Sequence, residues 1–236
     1  MNIPARLMKQ SQFFLSLAFL FLALASQETC AQHSLALHTN YTSSSRIFPT
    51  PFSSNPIFQS TSYEIGSALS FSAQYRYAIA ENFRLGFSFE YLPNEFSERD
   101  ANGTEYIDGY KLFLSELSGY FTLPVGSTAF QLYVGGGVGM YMGAREYTIA
   151  SVEAISNATP PAFGIHVLSG FEYYPVRSLS LRAEFLFRDP QIVTENQFST
   201  ESIVSNGVEY RVGSKPFKSK VNINGNVYSL GVAFHF

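Results

Sequence analysis

The sequence predicts an all-β chain: an eight-stranded antiparallel up-and-down transmembrane β-barrel behind a cleavable signal peptide. Three observations carry this expectation. An apolar run near the N-terminus has the form of an export signal, side-chain polarity alternates with period two through most of the remaining chain, and charge is confined to one of the two faces that the alternation creates.

Composition narrows the field before any pattern is used. Of 236 residues, 46% are hydrophobic, 16% aromatic and only 14% charged. A soluble domain carries about 25% charge. Disordered chains are charge-rich and poor in aromatics, so disorder is excluded. A single cysteine excludes a disulfide framework. A net charge of −3 and a pI near 5.8 argue against nucleic acid as a partner, because that calls for a basic face.

Arg6 and Lys9 precede the unbroken run FFLSLAFLFLALA, residues 13–25. That is a positive n-region and an h-region, too short for a spanning helix, which needs about 20 residues. It reads as a secretory signal peptide rather than a buried N-terminal helix. Cleavage is expected after Ala25 or after Ala31, and the second choice divides the chain into a signal peptide, 1–31, and a barrel domain, 32–236. Cys30 lacks the Leu and small residues of a lipoprotein acceptor, since Gln27, Glu28 and Thr29 precede it.

Residues 130–144 show the alternation most clearly. Phe130, Leu132, Val134, Val138, Met140 and Met142 lie on one face, and Gln131, Tyr133, Tyr141 and four glycines on the other. That is a strand pattern. Residues 63–79 set Ile65, Leu69, Phe71, Tyr75 and Tyr77 against Glu64, Gln74 and Arg76. Residues 83–91 set Phe83, Leu85, Phe87, Phe89 and Tyr91 against Arg84 and Glu90. Residues 163–173 oppose Phe163, Ile165, Val167, Phe171 and Tyr173 to His166 and Glu172; residues 179–188 oppose Leu179, Leu181, Phe185 and Phe187 to Arg182, Glu184 and Arg188. Across these five strands the apolar faces hold no charge, while the opposite faces carry four Glu and four Arg.

Three weaker strands complete the set: 33–41, 110–123 with Phe113, Leu117 and Phe121 opposite Glu116, Ser118 and Tyr120, and a terminal strand with Tyr228, Leu230, Val232, Phe234 and Phe236 on one face. Val221, Ile223 and Val227 lie in the opposite phase to that strand. Either a bulge near Gly225 reconciles them, or the residues before it belong to a loop.

The connections alternate in length. Short ones fall at 80–82, 124–129 and 175–178; long ones at 42–62, 92–109, 145–162 and 189–220. Four long loops on one side and three tight turns on the other is the order of an even-stranded barrel with both termini together. Asn102-Gly103 and Asn206-Gly207 carry the sequence of two-residue hairpin turns. The strands at 83–91 and 110–123 are therefore expected to extend to Asn102-Gly103, and the last long loop to hold a hairpin of its own.

Alternation alone leaves open which face is wet. Balanced Arg and Glu among Gly and Ser suit a narrow interior better than a solvent face, where Lys abounds. The chain also ends on Phe236 at the close of an alternating strand. GIHVLSGFEYYPVRSLSLRAEFLFR, LYVGGGVGMYMG and the terminal Phe together resemble the outer-membrane β-barrel superfamily, in particular its small OmpA/OmpX-type barrels, over residues 32–236. No peptidoglycan-binding domain is expected after Phe236. The resemblance implies an outer-membrane location in a Gram-negative cell. It also implies a terminal strand (Tyr228, Leu230, Val232, Phe234, Phe236) read by the barrel assembly machinery.

An interior this narrow is filled by side chains, so Glu64, Arg76, Arg84, Glu90, Glu116, Glu172, Arg182, Glu184 and Arg188 are expected to pair within the lumen and plug it. A slit for small ions is the alternative. Glycines 135, 137 and 139 are expected to clear space for interior side chains. No His-x-Ser pair shares a strand face and no clustered metal ligands appear, so no catalytic residue, metal or cofactor is assigned. His235 is expected at the periplasmic rim. Arg211, Lys215, Lys218 and Lys220 form a basic patch at the base of the last long loop, which reads either as a contact for lipopolysaccharide phosphates or as a solvated face. The function expected is that of a monomeric, non-enzymatic structural or surface-interaction protein in outer-membrane lipid; a small-solute channel is the alternative, and a lipid-modifying enzyme the third.

Overall fold

The computed structural model describes residues 32–127, 129–223 and 225–236; the expected signal peptide lies outside the described residues. In chain order the strands are β1 (His33–Thr42), β2 (Arg46–Phe48), β3 (Tyr63–Glu64), β4 (Ala68–Ala80), β5 (Phe83–Arg99), β6 (Glu105–Ser127), β7 (Phe130–Ile149) and β8 (Val152–Glu153). Then come β9 (Ile155–Asn157), β10 (Ala162–Val176), β11 (Leu179–Arg188), β12 (Gln191–Gln197), β13 (Ser202–Ser205), β14 (Val208–Arg211), β15 (Phe217–Asn222) and β16 (Gly225–His235). A five-residue helix, α1 (Pro56–Ser60), interrupts the β2–β3 connection, and among the described residues no helix is long and apolar enough to cross a membrane.

Sixteen strands stand where the sequence led us to expect eight. The difference comes from the long connections, which fold into short strands of their own. In the largest sheet the antiparallel pairings run β1–β4–β5–β6–β7–β10–β11–β16, and β16 pairs back onto β1. The wall therefore closes on itself. A second, five-stranded sheet, β3–β2–β15–β12–β9, is assembled from three of the long connections, and β13–β14 is a separate hairpin.

Polarity is inverted relative to a soluble protein. The apolar faces point outward: Phe71 is 70% exposed and Ile165 75%, with Leu37, Phe87, Leu117, Val138, Phe185 and Leu230 on the same outer surface. The charged faces point inward, where Arg76, Arg182 and Arg188 are each 1% exposed and Glu172 is fully buried. Such a surface is stable only against an apolar medium. There, backbone groups must be satisfied within the wall, which ring closure achieves.

The short connections are tighter than the sequence suggested. β6 runs to Ser127, through Pro124, because a bulge between Thr122 and Gly126 absorbs a residue that cannot donate to the ladder. Pro175 sits at a second bulge, between Tyr173 and Val176. The expected bulge near Gly225 is absent from the ladders of β16. They pair Arg188 with Gly225 through Leu179 with Phe234 without a shift. Val227 points into the ring interior, and Val221 and Ile223 belong to the second sheet and the segment just after it, which explains the phase change.

β5 and β6 extend to a turn at Asp100–Thr104. Asn102-Gly103 does not form a two-residue turn there. Only Gly103 takes positive φ, at 77°, and the Asp100 carboxylate accepts from the amides of Asn102 and Thr104, both at 2.9 Å. Asn206-Gly207, with φ of 49° and 80°, does make the two-residue turn between β13 and β14.

Inside the ring, aromatic rings lie flat over glycines. A Cβ on Gly139 would stand 2.3 Å from the Tyr141 hydroxyl, and one on Gly170 2.6 Å from the Tyr133 ring. Gly137 has a different role, since its Cβ would collide with the Leu117 carbonyl of the neighbouring strand. Replacing Gly170 with Leu should displace Tyr133 and cost about 1–3 kcal/mol by overpacking. The check is a lower urea midpoint of unfolding in detergent micelles.

Candidate functional site

The interior is tiered. At one end, Arg182 donates from Nε to Glu172 (2.7 Å), from Nη1 to Gln74 (3.2 Å) and from Nη2 to Ser34 (2.8 Å). Glu172 also accepts from Ser180 Oγ at 2.5 Å and from the half-buried Arg84 at 3.2 Å. Above it the Arg76 guanidinium lies 3.7 Å from the Tyr120 ring centre and 4.7 Å from that of Tyr133. It is ion-paired to Glu184, which accepts from Tyr133 Oη at 2.7 Å. Above that, Arg188 bridges Glu90 (2.8 Å) and Glu116 (3.2 Å), with Ser70 donating to Glu90 and Tyr141 to Glu116. Arginine suits these positions because its planar fork bonds two acceptors at once while staying charged.

The next tier is apolar. Leu92, Tyr110, Leu112 and Leu114 from the wall pack against Ile47, Ile192 and Val221 of the second sheet, with Ile65 and Ile223 flanking it. Strand alternation still turns Leu112 and Leu114 inward; what changes is that the second sheet replaces charge pairs as their neighbour. Beyond this, Arg145 donates to Asp108 from Nε (2.8 Å) and Nη2 (2.5 Å) and to Tyr63 Oη (2.8 Å), while Tyr63 donates to Asp108. Asn196 of β12 donates to the Arg145 carbonyl at 2.9 Å, fastening the second sheet to β7. The sequence reading missed this cluster because it left 145–162 as a loop and did not carry side-chain parity into the expected extension of 110–123. Carrying the strand parity on would have found it, since Asp108 is in phase with Glu116, and Arg145 with Tyr141.

At the far end two hairpin tips clasp. Tyr210 Oη donates to Asp100 (2.6 Å) and meets Thr104 Oγ1 (2.9 Å), Asn206 donates to the Asn102 carbonyl (3.0 Å), and Tyr106 stands edge-on to Tyr210.

One expected lumen residue is elsewhere. Glu64 lies on β3, outside the closed wall, paired with Arg46 at 2.9 Å and with its side chain 60% exposed. The strand expected over 63–79 breaks at 65–67, where Gly66 takes a φ of 88°, so Glu64 joins the second sheet. Arg76, Arg84, Glu90, Glu116, Glu172, Arg182, Glu184 and Arg188 all take part in the ion pairs described above. Tyr228, Leu230, Val232, Phe234 and Phe236 line the outer face of the strand that closes the ring, and Phe236 stacks on His33 at 5.7 Å. In the basic patch, Lys220 lies 4.3 Å over the Phe48 ring and Lys218 is 3.6 Å from Glu195.

Hydroxyl, imidazole and carboxylate meet twice, which strand parity within single segments could not reveal. His166 Nε2 is 2.8 Å from Ser118 Oγ and its Nδ1 4.0 Å from Glu116; His235 Nε2 is 2.7 Å from Ser180 Oγ and 3.2 Å from Glu172. Nucleophilic catalysis needs the acid to orient the imidazole through its second nitrogen. At His235 one nitrogen faces both partners, and at His166 the second nitrogen is beyond hydrogen-bond reach of Glu116. Both serines are buried. Among the described residues no group of three His, Cys, Asp or Glu is placed to hold a metal ion.

No protein-family model matches the chain, and no curated protein matches it in sequence. A solved structure does share its fold. The chain is similar to the outer membrane protein OprG from Pseudomonas aeruginosa, at 13% identity and a TM-score of 0.60, over 88% of this chain and 97% of that one. Neisserial surface protein A (13% identity, 89% and 100% covered, TM-score 0.48) and Ail of Yersinia pestis (14%, 87% and 99%, 0.45) are more distant. The likeness to OprG identifies the fold as that of the small outer-membrane β-barrels.

Replacing Arg188 with Met strands two buried carboxylates and should cost about 3–5 kcal/mol. Adding Glu90→Gln and Glu116→Gln should recover most of it, both read by urea unfolding in detergent micelles. At the clasp, the Tyr210 hydroxyl holds the Asp100 carboxyl below its ordinary value. A depressed carboxylate adds stability above its unfolded pKa and loses it as pH falls through the folded one. Proteolysis of the β13–β14 hairpin should therefore accelerate below about pH 4, and Tyr210→Phe should raise the neutral-pH rate and flatten this dependence.

Proposed function

We propose that a chain with this outer-membrane β-barrel fold is an integral outer-membrane protein of a Gram-negative cell, exported by a signal peptide over residues 1–31 and spanning the bilayer as eight strands. Its role is structural or one of surface interaction, exerted through the second sheet and the two clasped hairpins above the wall. The observation that carries the reading is the inverted polarity: an apolar outer surface enclosing arginine–glutamate pairs. A charge on the outer face would cost about 2–4 kcal/mol at mid-bilayer.

The interior supports a surface role over conduction. Arg76 and Arg188 are ion-paired to carboxylates across the lumen and Arg182 to Glu172 on the neighbouring strand, and an apolar tier closes the space above them. The buried serines of the two Ser–His–Glu groupings favour a non-enzymatic reading. The partners proposed are membrane lipid, lipopolysaccharide phosphates at Arg211, Lys215, Lys218 and Lys220, and the assembly machinery engaging Tyr228, Leu230, Val232, Phe234 and Phe236. The barrel is proposed to act as a monomer.

Unboiled samples from membrane extracts should migrate faster than boiled ones, and the purified barrel should give no current steps in planar bilayers. Steps abolished by Glu172→Ala or Arg182→Ala would establish a pore instead. Cells carrying the gene should differ from a deletion strain in attachment to surfaces, and identical attachment would remove the surface role.

A further inference from the structure

β5 has an edge that pairs with nothing among the described residues. β4 and β5 last meet at Phe71 and Tyr91, while β5 continues to Arg99 paired with β6 alone. The direction of its amides follows from three observations. Asn82, just before β5, accepts from Thr122 of β6, and Asp100, just after it, donates to Thr104. The β5–β6 register has no shift between them. Even-numbered residues therefore face β6 and odd-numbered ones face away. Pro93 is odd, as a strand proline must be if its missing N–H is to leave the β6 ladder intact. Lacking that donor, Pro93 coincides with the point where the β4–β5 ladder stops, and a cleft of about 430 Å³ opens there, lined by Ser67, Ala68, Leu69, Pro93 and Glu95 among others. Beyond it, Glu95, Ser97 and Arg99 turn their backbone N–H and C=O groups to the free edge.

Natural edges are blunted by proline, lysine or a covering element. Here the proline guards only the end near the wall. Of the open rungs Glu95, Ser97 and Arg99, Glu95 is exposed and joins no ion pair among the described residues, while Arg99 is 3.9 Å from Glu105.

We infer that the β5 edge at Glu95–Arg99 docks an extended segment of another protein as an added antiparallel strand, with a basic side chain opposite Glu95. This rests on the surface-interaction role proposed above and names its partner class. A second copy of this chain in the same bilayer presents the edge in the same vertical sense. It could not pair antiparallel, and a parallel pair would bring Glu95 toward Glu95.

The test uses the full barrel in detergent micelles and the capped peptide Thr-Val-Lys-Val-Lys-Val-Thr. The peptide should bind, and N-methylation of its alternate amides in one register should weaken binding at least about tenfold, as loss of one or two hydrogen bonds does, while the other register is tolerated. Ser97→Pro should weaken binding similarly, and Glu95→Lys should shift preference to the peptide with Glu in place of Lys; both variants should keep the fast-migrating unboiled band. No binding, binding indifferent to N-methylation in both registers, or full binding by Ser97→Pro would overturn the edge site. Attachment assays separate the two readings. If the deletion strain attaches as well as wild type, the surface role falls while the peptide result still judges the edge. If Ser97→Pro cells attach as wild type does and the deletion strain does not, the surface role stands and the edge is not its seat.

Discussion

A wall of strands facing an apolar medium has nowhere to send an unpaired amide. That constraint, more than any single contact, organises this molecule: the ladder from β1 through β16 returns to its start, and every other feature of the wall serves that closure. Prolines are tolerated at 124 and 175 because bulges absorb them. Charges are expelled to the inside, where low dielectric makes an unpaired one costly and a paired one bearable. The arginine–glutamate tiers are thus a consequence of the outer surface, as much as an interior design of their own.

Where the wall ends, the constraint relaxes and the chain changes strategy. Around Tyr91 and Phe113 the strands β5 and β6 continue, but their inner face becomes Leu92, Tyr110, Leu112 and Leu114, packed against strands contributed by three long connections. The molecule reverts to the ordinary arrangement of a soluble protein, oil inside and polar groups outside. The Asp108–Arg145–Tyr63 cluster and the Asp100–Tyr210 clasp tie the two sheets and the hairpin tips together. Pro93 marks the boundary, and the unpaired edge beyond it arises from the same change of surroundings.

Much of the wall was legible in the sequence because strand parity is local: Phe71, Phe87 and Phe185 share a phase with their neighbours two residues away, and Arg84, Glu90 and Arg182 share the other. The extension of β5 and β6 was legible from Asn102-Gly103, although the turn is longer than that dipeptide suggests. The second sheet was not. β2, β3, β9 and β15 are two to six residues long, too short for periodicity to register, and they are held by partners distant in the chain. Glu64 was misplaced for this reason: its parity with Gln74 and Arg76 is broken by Gly66, a single residue in a left-handed conformation.

What the sequence determined by itself is the polarity of each face and the alternation of short and long connections, since both depend on residues adjacent in the chain. Partnership was decided only by the tertiary structure. Arg76 meets Glu184 and Arg182 meets Gln74 across 108 positions, and Ser118 meets His166 across 48, because closing the ring brings inward faces of remote strands within a few ångströms. No local pattern encodes those distances; they are set by the circumference of the closed wall and the stagger of its strands.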